Sequence, residues 1–391
     1  MISSQTVTDV CNAIDPERLV QTAVDLIAIP SPTRSATRVA DFLAKLLQDE
    51  GFAVERPVAG WSESPAVAAR FASGTDGKTL QFNGHLDTVH LPFVPPRTED
   101  GLLYGSGASD MKGGVAAMVE ALRVLRETEA LTAGSILLTA HDLHERPWGD
   151  GSQVNELIAS GFVGDAVLLP EYLSDRLPLV GRGQASLQVE VTREGVPVHE
   201  VLGGIDQPSV IMAGAELICR LRELDTELSQ LTHPLAGRES VFVGQVHAGE
   251  MFNQSPTKLE LSGTRRWLPS TTMDAAREPL LQIFEEVAQT HQVQVNGQVA
   301  VSRDAYEIAQ NDPLVAAFQG AHEAATGHEL PVGSKPFVDD GNAFVRLGGI
   351  PAITHGPAAT GAHTINEQVR VEELVRVATV YALTAISYCN S

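Results

Sequence analysis

Apolar residues recur at helical spacing near the start of the chain. Leu19, Val20, Ala23, Leu26 and Ile27 fall on one face, after Asp15-Pro16-Glu17, a cap followed by proline in the first turn. Val39, Phe42, Leu43, Leu46 and Leu47 repeat the pattern in a second helix. Apolar runs of strand length then end at Gly84, near His141 and at Glu171. A helix with Val115, Met118, Val119, Leu122 and Leu125 on one side lies between the first two. Strands separated by helices predict an α/β domain, with a mixed, mostly parallel sheet sandwiched by helices.

The period changes near Arg182. ASLQVEVTREG alternates as a half-exposed strand does. A helix over 208–224, strands near 241–247 and 258–267, a helix near 272–290 and a strand near 292–301 complete a βαββαβ order. That order is ferredoxin-like, and it predicts an inserted α+β domain. A helix over 313–326 and a strand at AITHGP then resume the larger domain. The expected division is 1–181 and 304–391 for the larger domain and 182–303 for the insertion, which suits a chain of 391 residues.

Hydrophobic residues make up 43% and charged residues 19%, enough for a large core and against disorder. The formal charge of −22 repels nucleic acid and anionic membranes, so neither is an expected partner. An acidic substrate would need a local cation. Cys11, Cys219 and Cys389 are far apart with no CxxC pair, which excludes a thiolate zinc site and a disulfide framework. MISSQTVTDVCNAIDPERL lacks the basic and apolar regions of a signal peptide. No apolar run approaches the roughly 18 residues of a membrane span. A cytoplasmic protein is expected.

Two segments carry chemistry. In NGHLDTV, residues 83–89, a strand runs into His85 and Asp87 follows. Neutral imidazole is a good zinc ligand, and a nearby carboxylate commonly fixes its ring. Taken alone, HxD is equally a surface turn. In YGSGASDMKGG, residues 104–114, Gly105, Gly107, Gly113 and Gly114 surround Asp110 at a helix entrance. A plain cap by Ser109 or Asp110 would not call for so many glycines.

Together these segments resemble the di-zinc aminoacylase and carboxypeptidase family, which includes acetylornithine deacetylase, succinyl-diaminopimelate desuccinylase and bacterial glutamate carboxypeptidase. IPAITHGPAATGAHTINEQV matches the C-terminal segment of that family, placing His363 as a metal ligand with Glu367 just beyond it. The resemblance implies two divalent ions. His85 and Glu171 hold one, Glu145 and His363 the other, and Asp110 bridges both, since its two oxygens can span ions roughly 3.5 Å apart. Asp87 supports His85. Zinc is expected, with Co2+ or Mn2+ tolerated by the same ligands.

The family usually has Glu-Glu where this chain has His144-Glu145 in TAHDLHERPWGDG. The position of the general base then falls to His144, whose unperturbed pKa of about 6.5 suits the task. A second register makes His144 the ligand and Glu145 the base. His141 and Asp142 are further candidates. In the inserted domain, GVPVHEVLGGIDQPSV places His199 at the lid histidine that reaches the partner subunit's active site. GEMFNQSP places Asn253 at the lid asparagine, and TRRWLP places Arg266 at an arginine that binds the substrate carboxylate. Arg265 should face the opposite side. Asp340, with Asp339 as rival, matches an aspartate near the site. His355 could line the pocket, and His322 and His328 read as surface residues.

The expected function is hydrolysis of the amide bond of an N-acyl amino acid, of the deacetylase or desuccinylase type, through a metal-bridging water. The inserted domain would serve as lid and homodimer interface. The alternatives are a metallo-carboxypeptidase or dipeptidase and, from another class, a non-catalytic metal-dependent binding protein.

Overall fold

The computed structural model describes residues 3–390. They form two compact units. One comprises the described residues up to Leu179, Ile308–Lys335 and the residues from Asp339 onward; the other is Val180–Glu307 with Pro336–Val338.

In the first unit, Asp15 caps the helix Pro16–Ile27 by accepting the backbone N–H groups of Glu17 and Arg18, and Leu19, Ala23, Leu26 and Ile27 are buried. A six-stranded sheet runs in the order Ala53–Glu55, Val67–Ala72, Ser135–His141, Thr79–His85, Ala166–Leu169, Ala352–Thr354. The last four are mutually parallel, and the first two join antiparallel. Successive residues of a strand point to opposite faces, and this sheet uses both. Phe82 pairs in register with Leu168, and its ring lies 5.3 Å from that of Tyr381 in the helix Val371–Cys389. Val167 and Leu169 point the other way, into a cluster with Val154, Ile158, Ala343 and Phe344 from the helices Ser152–Ala159 and Asp340–Arg346. The sheet is therefore mixed, mostly parallel and sandwiched by helices, as the sequence pattern predicts.

The second unit carries an antiparallel sheet in the order Ser240–Ala248, Lys258–Trp267, Gly183–Thr192, Gln294–Arg303. Ala185, Leu187, Val189 and Val191 alternate into a core completed by the helices Val210–Leu228 and Met273–His291. The chain order is βαββαβ, with the first strand between the third and the fourth. Arg265 pairs in register with Ala185, on the helix-covered face, where it is buried against Glu239. Arg266 pairs with Gln184 and so faces the other side.

His322, expected at the surface, is buried instead. It shares the inward face of the helix Pro313–Thr326 with Leu314, Phe318 and Ala321. Its Nδ1 satisfies itself on the carbonyl of His328, 2.9 Å away.

Candidate metal centre

Parallel strands place their carboxyl ends side by side, and ligands gather there in open α/β sheets. His85 ends one strand and pairs in register with His141, the end of the next. His144 and Glu145 follow His141 in the connecting loop, and Glu171 lies two residues beyond the strand Ala166–Leu169. The topology alone thus brings three separated segments together.

Asp110 arrives from a tight turn. Glu367 accepts the backbone N–H groups of Gly107 at 3.0 Å and of Ser109 and Asp110, both at 3.2 Å, together with the Ser109 hydroxyl at 2.9 Å. Two glycines let the following helix start against its surroundings: a Cβ on Gly113 would lie 2.4 Å from the Ala108 carbonyl oxygen, and one on Gly114 2.5 Å from that of Pro170. Lys112, from the same motif, does not join the acidic cluster. Its Nζ donates to the Ile29 carbonyl, and burial brings its pKa down to about 7.

The donor atoms converge. His85 Nδ1 donates to the Asp87 carbonyl at 2.9 Å, which leaves Nε2 facing the cluster and able to ligate, 3.0 Å from Asp110 Oδ1 and 3.9 Å from Glu171 Oε1. His363 Nε2 lies 3.3 Å from the other Asp110 oxygen and 3.1 Å from Glu145 Oε2. Asp110 therefore stands between two donor sets, His85 with Glu171 and His363 with Glu145. His144 stacks on His85, with centroids 4.0 Å apart and planes at 4°. Its Nδ1 meets Asp340 at 2.8 Å, and its Nε2 lies 3.7 Å from Glu171. Ligand atoms of His85, His144 and Glu171 lie within 4.8 Å of one another, as do those of His85, Asp110 and Glu145.

The electrostatics of this set suit cations. Burial, then Asp110, raises the pKa of Glu145; the same two causes raise Glu171 well above its ordinary value. Asp110 itself is held low: burial opposes this, but hydrogen bonds from His363 and His85 outweigh it. Hydrogen bonds to Asp110 and Glu145 push His363 up to about 10. Burial and His85 work against protonation of His144, yet Asp340 carries it up to about 9. Three buried carboxylates around two imidazoles repel one another unless positive charge lies among them. Imidazole and carboxylate are the donors that zinc, cobalt and manganese accept, so the residues fit a pair of divalent ions.

The structure also separates near neighbours in sequence. Asp142 turns away and accepts the backbone N–H groups of Arg34 and Ala36. His141 is buried with Nε2 3.1 Å from Asp340. Asp340, not Asp339, reaches His144; Asp339 caps its helix and pairs with Lys335. Asp87 offers His85 its carbonyl, while its carboxylate takes the backbone N–H groups of His144 and Glu145 at 3.1 and 2.9 Å. His355 is packed against Phe318 and donates to the Ser174 carbonyl. The Glu367 clamp and the reach of Asp87 to a second loop depend on contacts across the fold that no local spacing announces.

In the second unit, Asn253 lies 2.9 Å from His199 Nε2, and the backbone N–H of Val201 donates to Nδ1. The atom facing Nε2 is the Asn253 amide nitrogen, and the buried Asn253 oxygen has no hydrogen-bond partner. Arg266 has a buried Nη1 without a hydrogen-bond partner.

The family model of peptidase family M20/M25/M40 matches residues 81–387. A succinyl-diaminopimelate desuccinylase of Alkalilimnicola ehrlichii is 29% identical over 378 residues, 93% of this chain and 96% of that one. The aminopeptidase PepT of Bacillus cereus shares the fold with a TM-score of 0.81 at 20% identity, covering 96% of this chain and 99% of that one. The Bacillus subtilis YXEP protein, a dinuclear metal binding peptidase, does so with a TM-score of 0.67 at 16% identity, covering 95% and 97%. The matched segment begins just before His85 and ends within the last helix, enclosing every element of the sheet-end cluster, and the chain belongs to peptidase family M20/M25/M40 as a hydrolase of amide bonds.

Proposed function

We propose that the protein hydrolyses the amide bond of an N-acyl amino acid with two divalent ions, zinc first, held by His85, Asp110, Glu145, Glu171 and His363. The observation that carries this reading is the position of Asp110, with one oxygen facing His85 and the other facing His363. Those residues would hold the two ions, which when bound would supply Lewis-acid polarisation of the amide carbonyl and a lowered pKa for a water. Cations bound beside His144 would offset the pull of Asp340 on its proton, and the neutral ring would then take the proton of the attacking water and return it to the leaving amine. Asp340 at Nδ1 fixes its ring so that Nε2 faces the site, the base-and-orienter pairing of general-base catalysis. Arg266 binds the substrate carboxylate; its unpartnered Nη1 supplies the local cation that a chain of net charge −22 requires.

The active species is a homodimer in which His199 of the partner subunit polarises the scissile carbonyl and the inserted unit acts as the lid. Support comes from the apolar side chains around His199 and Asn253: Val196, Val201, Leu202, Ile205 and Phe252 are 70 to 100% exposed, an apolar patch that marks an interaction surface. The substrate class agrees with the desuccinylase named above. A cytoplasmic location suits the exposed free thiols of Cys11 and Cys219, and no helix among the described residues is long and apolar enough to cross a membrane.

The deciding experiment is a screen of N-acetyl, N-succinyl and N-formyl amino acids, alongside dipeptides, with Zn2+ or Co2+ added and metal content measured. Turnover of an N-acyl amino acid with about two ions per chain is expected. Turnover of dipeptides alone would make the protein a peptidase. Metal binding without any turnover would make it a binding protein.

A further inference from the structure

The two loops that carry the candidate ligands each run on into an aromatic ring, and the rings meet. His90 follows His85 by five residues, Trp148 follows Glu145 by three, and their planes stack at 7° with centroids 4.4 Å apart. One hydrogen bond holds the edge of the His90 ring and another holds the backbone of Trp148. His90 Nε2 donates to the Thr33 carbonyl at 3.0 Å, and Arg34 Nε donates to the Trp148 carbonyl at 2.8 Å. Arg34 is itself fixed by its backbone N–H on Asp142 and by its guanidinium over the Trp61 ring. His90 is nevertheless exposed, as are Leu91 and Phe93 beside it, at 42 and 41%. A ring held at its edge by a hydrogen bond and still exposed can serve as a stacking platform, and its fixed position spares the entropy of ordering it on binding.

We propose that the His90–Trp148 stack is a specificity subsite for an aromatic ring on the substrate, carried either by its acyl group or by its amino-acid side chain. The proposal rests on the reading of the protein as an N-acyl amino acid hydrolase. It assigns the preference for flat, apolar substituents to the loops that carry the candidate ligands and not to the inserted unit.

The test uses product-like ligands, which are not turned over: benzoate against acetate and L-phenylalanine against glycine, titrated calorimetrically into Zn2+-loaded protein. One aromatic ligand should bind more tightly than its control, by about twofold to tenfold from stacking alone and more where burial adds to it. His90→Ala and Trp148→Ala should each remove that advantage while leaving acetate or glycine binding in place, and Trp148→Phe should retain it. Equal binding of both aromatic ligands and their controls by the unmodified protein would overturn the proposal, as would an advantage that survives both alanine variants. Absence of N-acyl amino acid turnover would count against the hydrolase reading alone, since the binding comparison stands without turnover.

Discussion

The carboxylate of Asp87 accepts the backbone N–H of Glu145 at 2.9 Å, so the loop after one strand sets the position of the loop after its neighbour. The same carboxylate takes the N–H of His144, and the Asp87 carbonyl orients the His85 ring. One buried residue therefore touches three of the groups that face the centre.

Asp87→Ala should loosen all three together. It strands two buried N–H groups, each at a cost of about 1 to 3 kcal/mol. Metal affinity or kcat/KM should fall by about ten- to a hundredfold, the usual loss for groups that orient ligands. Metal analysis and kinetics on the same preparations check this; unchanged values in both would show that the Glu145 loop holds itself.

His144→Ala should retain the metal and lose about 10² to 10⁴ in kcat, the range for a general base. Asp340→Asn should show a smaller loss of the same kind, because the ring stays while its orientation relaxes. Glu145→Ala should lose metal instead. If His144→Ala loses one ion per chain, the residue is a ligand beside His85 and Glu171, and the base lies elsewhere.

The sheet and the insertion were legible because apolar period reports burial directly: the alternation at Ala185, Leu187, Val189 and Val191 is the core face of a real strand. His85, Asp110 and His363 were legible as candidate ligands through the resemblance of their segments to the di-zinc family, since HxD alone reads equally as a surface turn. What stayed hidden depends on side chains meeting across long sequence distances. Nothing near Glu367 shows that it holds the Asp110 turn 257 residues away. Nothing near His144 shows that Asp340 is its partner. His322 was misread because a polar residue on a helix looks exposed until its neighbours Phe318 and Ala321 are known to face inward.

Glu367→Ala should be among the most damaging changes outside the ligand set. It removes the acceptor for three backbone N–H groups and a hydroxyl at a buried site, and leaving even some of them unpaired costs about 1 to 3 kcal/mol each. A lowered Tm in the presence of chelator, together with weaker metal binding, is expected. Weaker metal binding with no change in Tm would confine the role of Glu367 to positioning Asp110.

Arg266→Lys keeps the charge and loses the planar fork that holds a carboxylate by two parallel bonds. A charge-assisted hydrogen bond is worth roughly 1.5 to 3 kcal/mol, so kcat/KM on N-acyl amino acids should fall at least about tenfold, and further in Arg266→Ala. An amide-capped analogue without the carboxylate should be affected much less. Equal losses on both substrates would assign Arg266 a structural role.

Acid should destabilise the first unit partly through His355. Burial, followed by Arg376 and His322, pushes its pKa down to about 3, against about 6.5 for a free imidazole. Between those values the unfolded chain binds a proton that the folded chain refuses. The contribution is absent above about pH 6.5. Stability is lost as pH falls from there toward about 3, with a slope approaching 1.4 kcal/mol per pH unit from this one group. His355→Phe removes the titration but also the hydrogen bond to the Ser174 carbonyl, so its absolute stability is not the readout. The informative quantity is the slope of unfolding free energy between pH 6 and 4, measured by denaturant titration in chelator so that metal binding does not contribute. The slope should be shallower in His355→Phe than in the unmodified protein by up to one proton's worth. Parallel slopes would mean that the folded protein admits the proton at its ordinary pKa, through an opening of the packing around Phe318 and His322.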